Sequence, residues 1–267
     1  MSNNKPLAII RGAGDLASGV AYRLYNSGVD VIMTEISKPL VVRRTVSFAE
    51  AVYEGKVVVE GIKARLVATV EEAMNLLEQR VIPILIDPEG NVIKQTSPTV
   101  VVDARMAKRN LGTAIQDARL VIGLGPGLTA GQDVHAVIET CRGHRLGRVI
   151  YKGTAIPDTA TPGAVDGYTL ERLLRAPADG IMAPQRNIGE RVEKGDLVAL
   201  VGEAPVYAGM SGLIRGMLKE GVAVPKGTKI GDIDPRIDAE YETISDKALA
   251  IGGGVLEAVY HHLNSIH

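Results

Sequence analysis

Aromatic residues are scarce in this chain. Of 267 residues, 3% are aromatic, with one Phe and no Trp. A surface that stacks single-stranded bases needs several aromatic side chains, so that class of function is excluded. There is one cysteine, Cys141, which rules out an internal disulfide framework and any multi-cysteine zinc or iron–sulfur centre. Excess charge of either sign is also missing. Lys and Arg total 30 and Asp and Glu total 31, a net of −1. Broad nucleic-acid binding needs a strongly basic face, so no nucleic-acid partner is expected. No apolar run reaches the roughly 18 residues of a membrane span, and no membrane partner is expected either. The first residues, Met1 to Pro6, lack the basic-then-apolar pattern of a signal peptide, so a cytoplasmic protein is expected.

What is abundant is the material of a globular core. Hydrophobic residues make up 46% and charged residues 23%. The chain opens with the apolar run Leu7 to Ile10, which stops at Gly12-Ala13-Gly14. Leu16, Val20 and Leu24 then recur at helical spacing, Gly28 stands at the helix end, and Val29 to Thr34 forms a second strand. A hairpin is expected around Gly61, a helix over 71–79, and strands over 82–86, 99–102, 120–122 and 148–151. A helix is expected over Asp133 to Thr140, where His135 and Glu139 stand at i and i+4. This alternation implies a Rossmann-like, doubly wound, mostly parallel sheet in an α/β domain over 1–172, with a Pro/Gly-rich linker at 155–167.

The second half changes character. Gly180, Gly189, Val192, Lys194 and Gly195 are matched by Gly212, Gly221, Val224, Lys226 and Gly227, each 32 residues later. Such a register indicates duplication. Two short halves of this kind resemble the barrel-sandwich fold of biotinyl and lipoyl carriers, expected here over 173–236. The connecting segment 201–208 has no lysine, so no biotin or lipoate attachment is expected. A helix over 248–263 follows, in a tail (237–267) expected to pack back on the first domain. Gly252-Gly253-Gly254 inside it implies a close approach by another backbone or a ligand, and a contact between copies in a homo-oligomer is one way to meet that condition.

Two glycine-rich loops are the candidate binding sites. Gly12, Ala13, Gly14 and Asp15 form a G-x-G-x-x-A pattern completed by Ala17, between a strand and a helix. The helix start offers free N–H donors to an anion, and Glu35, 21 residues after Gly14, stands where an acid takes ribose hydroxyls. Asp15 either repels a phosphate or caps the helix. Gly123, Gly125, Gly127 and Gly131 form the second loop. Pro126 and the absence of Gly-Lys-Thr exclude a Walker A loop. Arg11, Arg43, Arg44, Asp103, Arg105, Lys152 and Thr154 are possible additions. Asp133, His135, Glu139, Cys141 and His144 have no recognised metal-ligand spacing. No catalytic triad or zinc motif is present, so no catalytic residue is proposed.

The combination Arg11 to Ala17, Gly125 to Gly127 with Gly131 to His135, Arg142-Gly143-His144, Gly231 to Arg236, and Ser245 to Lys247 with Ile251 to Leu256 resembles the YqeB-type family of accessory proteins in the selenium-dependent molybdenum hydroxylase system. The first domain is also similar to xanthine dehydrogenase accessory factors. The resemblance implies a role in maturation or insertion of a molybdopterin-type cofactor. It implies a nucleotide or molybdopterin-dinucleotide-like ligand and a molybdenum hydroxylase client enzyme as partner. An NAD(P)-dependent oxidoreductase and a non-catalytic adaptor are the other expectations.

Overall fold

A computed structural model describes residues 5–158 and 165–264. The middle of the expected linker, 159–164, lies outside the described residues. The chain divides into two compact units: 1–37, 47–158 and 244–267 in the first, 38–46 and 159–243 in the second.

The first unit runs β1 (Leu7–Arg11), α1 (Asp15–Asn26), β2 (Asp30–Glu35), α2 (Ala51–Glu54), β3 (Lys56–Val59), β4 (Ile62–Val67), α3 (Val70–Glu78), β5 (Ile82–Ile86), α4 (Asn91–Thr96), β6 (Val100–Asp103), β7 (Leu120–Leu124), β8 (Ala136–Ile138) and β9 (Val149–Ile150). The nine strands form one sheet, in the order β3-β4-β5-β2-β1-β6-β7-β8-β9. Its interior pairs are parallel, and the pairs at its two edges, β3 with β4 and β8 with β9, are antiparallel. Central strands covered on both faces are continuously apolar, which is why β1, β6 and β7 are almost fully buried. Alternate side chains of one face, Ile9, Ile32, Val101 and Val121, meet Ala73 and Leu76 of α3 and Val92 and Ile93 of α4. In this unit α5 (Asp246–Asn264) packs on α1 and against β7, β8 and β9.

The Rossmann-like expectation is corrected here. The sheet is mixed, and no α-helix separates β6 from β7 or β7 from β8. A doubly wound sheet needs a helical crossover at each such step. The helix expected over 133–140 is instead a turn leading into β8. Val137 and Ile138 are β-branched and fully buried, and they pair with Gly123 and Leu124. Burial in the sheet outweighs the helical spacing of His135 and Glu139.

The second unit holds β10 (Leu173–Arg175), β11 (Gly180–Pro184), β12 (Arg191–Val192), β13 (Leu197–Val201), β14 (Ala204–Tyr207), β15 (Gly212–Met217), β16 (Ala223–Val224) and β17 (Lys229–Asp234). They form two four-stranded antiparallel sheets, β10-β17-β15-β12 and β14-β13-β11-β16. Strands β11, β12 and β13 recur 32 residues later as β15, β16 and β17. Each copy lends its short middle strand to the sheet of the other, β12 to β15 and β16 to β11. The expected barrel-sandwich is corrected to this pair of sheets, because β10 and β14 lie outside the repeat and extend one sheet each. Segment 38–46 joins this unit across the chain: the Met217 amide donates to the Val42 carbonyl, and Arg44 Nε donates to the Met217 carbonyl. Asp234, fully buried, is neutralised by Arg215 and Arg236.

Candidate functional site

Parallel central strands bring their carboxyl ends to one edge of the sheet, where ligands enter such folds. Here the segments after β1, β2, β5 and β6 enclose a cleft of about 400 Å³. Gly12, Thr34 and Glu35 form its floor, Pro88, Glu89 and Arg105 its flanks, and Ile36 and Leu111 an apolar rim. Ile36 and Leu111 are 46% and 41% exposed.

The opening turn is held from several directions. Gly12 has φ +101°, and a Cβ there would stand 3.1 Å from the Ala104 carbonyl oxygen, so only glycine suits it. The Ala13 carbonyl accepts from Ser18 Oγ, Ser47 Oγ and the Ala49 amide. The Ala13 amide donates to Glu35 Oε2 at 2.9 Å, and the Ile36 amide donates to Oε1 at 2.8 Å. Glu35 thus spends some of its charge on the protein's own backbone. Burial still pushes its carboxyl above the usual range, with these two amides pulling the other way. Asp15 Oδ1 accepts the Leu16 amide, which is a local helix-start contact. Gly14 is the N-cap of α1, with φ −65° and open space where a side chain would be.

Beside the cleft lies a charge network. Arg105 makes three hydrogen bonds to Asp103, Nε to Oδ1 at 3.0 Å, Nη2 to Oδ2 at 2.6 Å and its amide to Oδ1 at 3.2 Å. Thr113 donates to Asp103 Oδ2 at 2.6 Å. Burial alone would raise the Asp103 carboxyl, but the hydrogen bonds from Arg105 and Thr113 outweigh it and hold it below its ordinary value. Arg11, only 3% exposed, donates to Thr113 Oγ1 and to the Pro88 and Glu89 carbonyls. Burial, then the neighbouring Arg105, lowers its pKa. The set offers a hydrogen-bonding carboxylate, an arginine flank and apolar walls. Nothing in it resembles a nucleophile with a base.

The other candidates sit differently. In the second loop the glycines make room for packing. A side chain at Gly123 would strike Leu128, one at Gly125 would strike Thr140, and one at Gly127 would strike the backbone of Lys108 and Arg109. The Gly131 amide donates to the Val134 carbonyl. None of these four residues lines the cleft. Arg43 and Arg44 belong to the second unit. Among the described residues no group of three His, Cys, Asp or Glu side chains could hold a metal. Asp133 caps Thr129, His135 Nδ1 accepts the Val121 amide, and Glu139 accepts the Cys141 and Ile156 amides. Sequence reasoning passed over Thr113 and Leu111. They sit in the irregular stretch between β6 and β7, and neither composition nor periodicity marks them.

No protein-family model matches the chain. Among solved structures, an aspartoacylase family protein from Mesorhizobium loti is 11% identical with a TM-score of 0.27, over 86% of this chain and 85% of that one. The product-bound ectoine utilization protein EutE (DoeB) from Ruegeria pomeroyi is 12% identical with a TM-score of 0.26, over 86% and 85%. Likeness this slight bears on neither fold nor activity. The uncharacterized protein YqeB of Escherichia coli (strain K12) is 53% identical over 254 residues, which is 95% of this chain and 47% of YqeB. The chain spans about half the length of the curated relative it matches. Over the residues it shares with that relative, the chain is similar to YqeB.

Proposed function

We propose that the chain binds an anionic, nucleotide-like ligand in the cleft at the carboxyl edge of the nine-stranded sheet. We further propose that it serves as an accessory protein in maturation or insertion of a molybdopterin-type cofactor for a selenium-dependent molybdenum hydroxylase. The observation that carries the binding reading is the cleft itself: about 400 Å³, with Gly12 and Glu35 on its floor, Arg105 on one flank and an apolar rim. Its size lies within the roughly 300–1,000 Å³ of small-molecule sites, and its mix of apolar walls with few convergent polar groups fits that class. A heterocycle would lie between Ile36 and Leu111, a hydroxyl would meet Glu35, and a phosphate would meet Arg105, near the start of α1, whose N-cap Gly14 is two residues on from Gly12. The cofactor and client rest on the family resemblance.

The test is thermal denaturation with NAD(H), NADP(H), CTP, GTP and molybdopterin dinucleotides. A true ligand at a hundredfold its Kd adds about 2.7 kcal/mol, or roughly 5–10 °C for a unit of this size. The informative variant is Gly14→Asp. Its backbone is already extended-to-helical N-cap geometry with free space, so aspartate caps the helix and the fold persists. Its charge opposes a phosphate at the helix start. Stabilisation by a molybdopterin dinucleotide that disappears in Gly14→Asp is expected. No shift with any nucleotide would end the binding reading, and a shift with NAD(H) alone would end the maturation reading.

A further inference from the structure

The first unit holds a second cavity apart from the cleft. It measures about 610 Å³ and lies where the chain wraps the β8–β9 edge, lined by Glu139, His144, Arg145, Arg148 and Thr154 among others. Three strand spacings separate β6, the nearest strand of the cleft, from β9, roughly 14 Å.

Two features distinguish it. The first is charge. Residues 140–157 contain Arg142, Arg145, Arg148 and Lys152 and no Asp or Glu, in a chain whose overall charge is balanced. Arg142 is matched by Asp246. The side chains of His144, Arg145 and Arg148 make no hydrogen bond or ion pair with any described residue. Clustered cations without a counter-charge repel one another, and an oxyanion in the adjoining cavity would relieve that repulsion. The second is rigidity. Glu139, 1% exposed, accepts the Cys141 amide at 2.8 Å and the Ile156 amide at 2.9 Å, which ties the two walls together. The Glu139 amide donates to the Arg148 carbonyl, and the Gly147 amide donates to the Glu139 carbonyl, so the backbone carrying the arginines is fixed. With an amide on each oxygen, the Glu139 carboxylate acts as a brace. Two full positive charges at the wall exceed its one negative charge. Arg is the side chain suited to two-pronged contact with phosphate oxygens, and the Thr154 hydroxyl supplies a further donor.

We propose that this cavity is a second ligand site, for a phosphate-bearing small molecule held by Arg145, Arg148 and His144. It is independent of the cleft and of the reading given to it. The probe is inorganic pyrophosphate, titrated calorimetrically into the full chain at constant ionic strength. Wild type is expected to bind, Arg145→Ala/Arg148→Ala to lose about tenfold or more in affinity, and Gly14→Asp to bind as wild type. Both arginines are exposed, so the double variant keeps its fold. Arg145→Lys/Arg148→Lys keeps the charge and should regain some of the affinity. The proposal is overturned if wild type does not bind, if the alanine variant binds as wild type does, if the lysine variant regains nothing, or if the loss appears in Gly14→Asp instead.

Discussion

The three glycines inside α5 allow a sharp test of how the first unit is built. Gly252 faces α1, and a Cβ there would stand 2.5 Å from the Gly19 carbonyl oxygen. Gly19 in turn has the Ala248 carbonyl oxygen at 2.5 Å from its own would-be Cβ. Ordinary contact begins near 3.4 Å, so Gly252→Ala must push the α1 and α5 backbones away from each other by about 0.9 Å (3.4 less 2.5). No flexible side chain can absorb that. Gly253 lies on the same helix with nothing within 4 Å of its would-be Cβ. Either substitution removes the helix penalty of glycine, about 1 kcal/mol. The difference between the two variants therefore isolates the cost of overpacking, about 1–3 kcal/mol. Gly253→Ala should stabilise by up to about 1 kcal/mol, and Gly252→Ala should fall below it by that difference, or roughly 2–12 °C in Tm. Circular dichroism at helical wavelengths is the suitable assay. All five described α-helices belong to the first unit, so the helical part of the signal reports on that unit. Equal gains from both substitutions would refute the close α1–α5 approach.

Other substitutions separate the electrostatic components of the cleft. Burial raises the Glu35 carboxyl, so the folded chain holds a proton that the unfolded chain has already released. Stability should then fall as pH rises from about 4.3, the ordinary Glu value, and level off above the folded-state value. Glu35→Gln should flatten this fall in urea titrations run across pH; an unchanged slope would contradict the assignment. Asp103 is shifted the opposite way, so its contribution is present above about 3.9 and is lost as pH drops through its lower folded-state value. Asp103→Asn leaves Arg105 and buried Arg11 without their carboxylate and should cost about 3–5 kcal/mol near neutral pH, with the deficit shrinking in strong acid. A deficit independent of pH would point to lost packing. Ser47→Ala removes a fully buried hydroxyl from the Ala13 carbonyl and should cost about 1–2 kcal/mol in equilibrium unfolding; a neutral result would mean that Ser18 and Ala49 hold the opening turn unaided.

Legibility in the sequence follows the range of the interaction that decides each element. The β1–α1–β2 segment is local: an apolar run, a glycine turn, apolar residues at helical spacing and a glycine with positive φ at the helix end. The 32-residue register is legible too, because the same three strands recur at the same offset. β10 and β14 belong to no repeat, and their places are settled by partners in β17 and β13. Segment 38–46 is tied to Met217, more than 170 residues away, and carries no local pattern. The glycine triplet in α5 shows that something comes close, but not that it is Gly19 for Gly252 and the Gly147 carbonyl for Gly254. At 133–140 local spacing misleads, since His135 and Glu139 spend their side chains on the Val121, Cys141 and Ile156 amides of a sheet edge. The cleft divides in the same way. Gly12 and Glu35 are set by one turn and one strand end, whereas Arg105 gains its orientation from Asp103 and from Thr113, eight residues on in an irregular loop. A glycine loop read alone therefore says little about ligand binding: Gly123 to Gly131 is as glycine-rich as the opening turn, yet its glycines at 123, 125 and 127 yield space to neighbouring chain. What separates the two loops is where the space goes, and that is decided by residues far away in sequence.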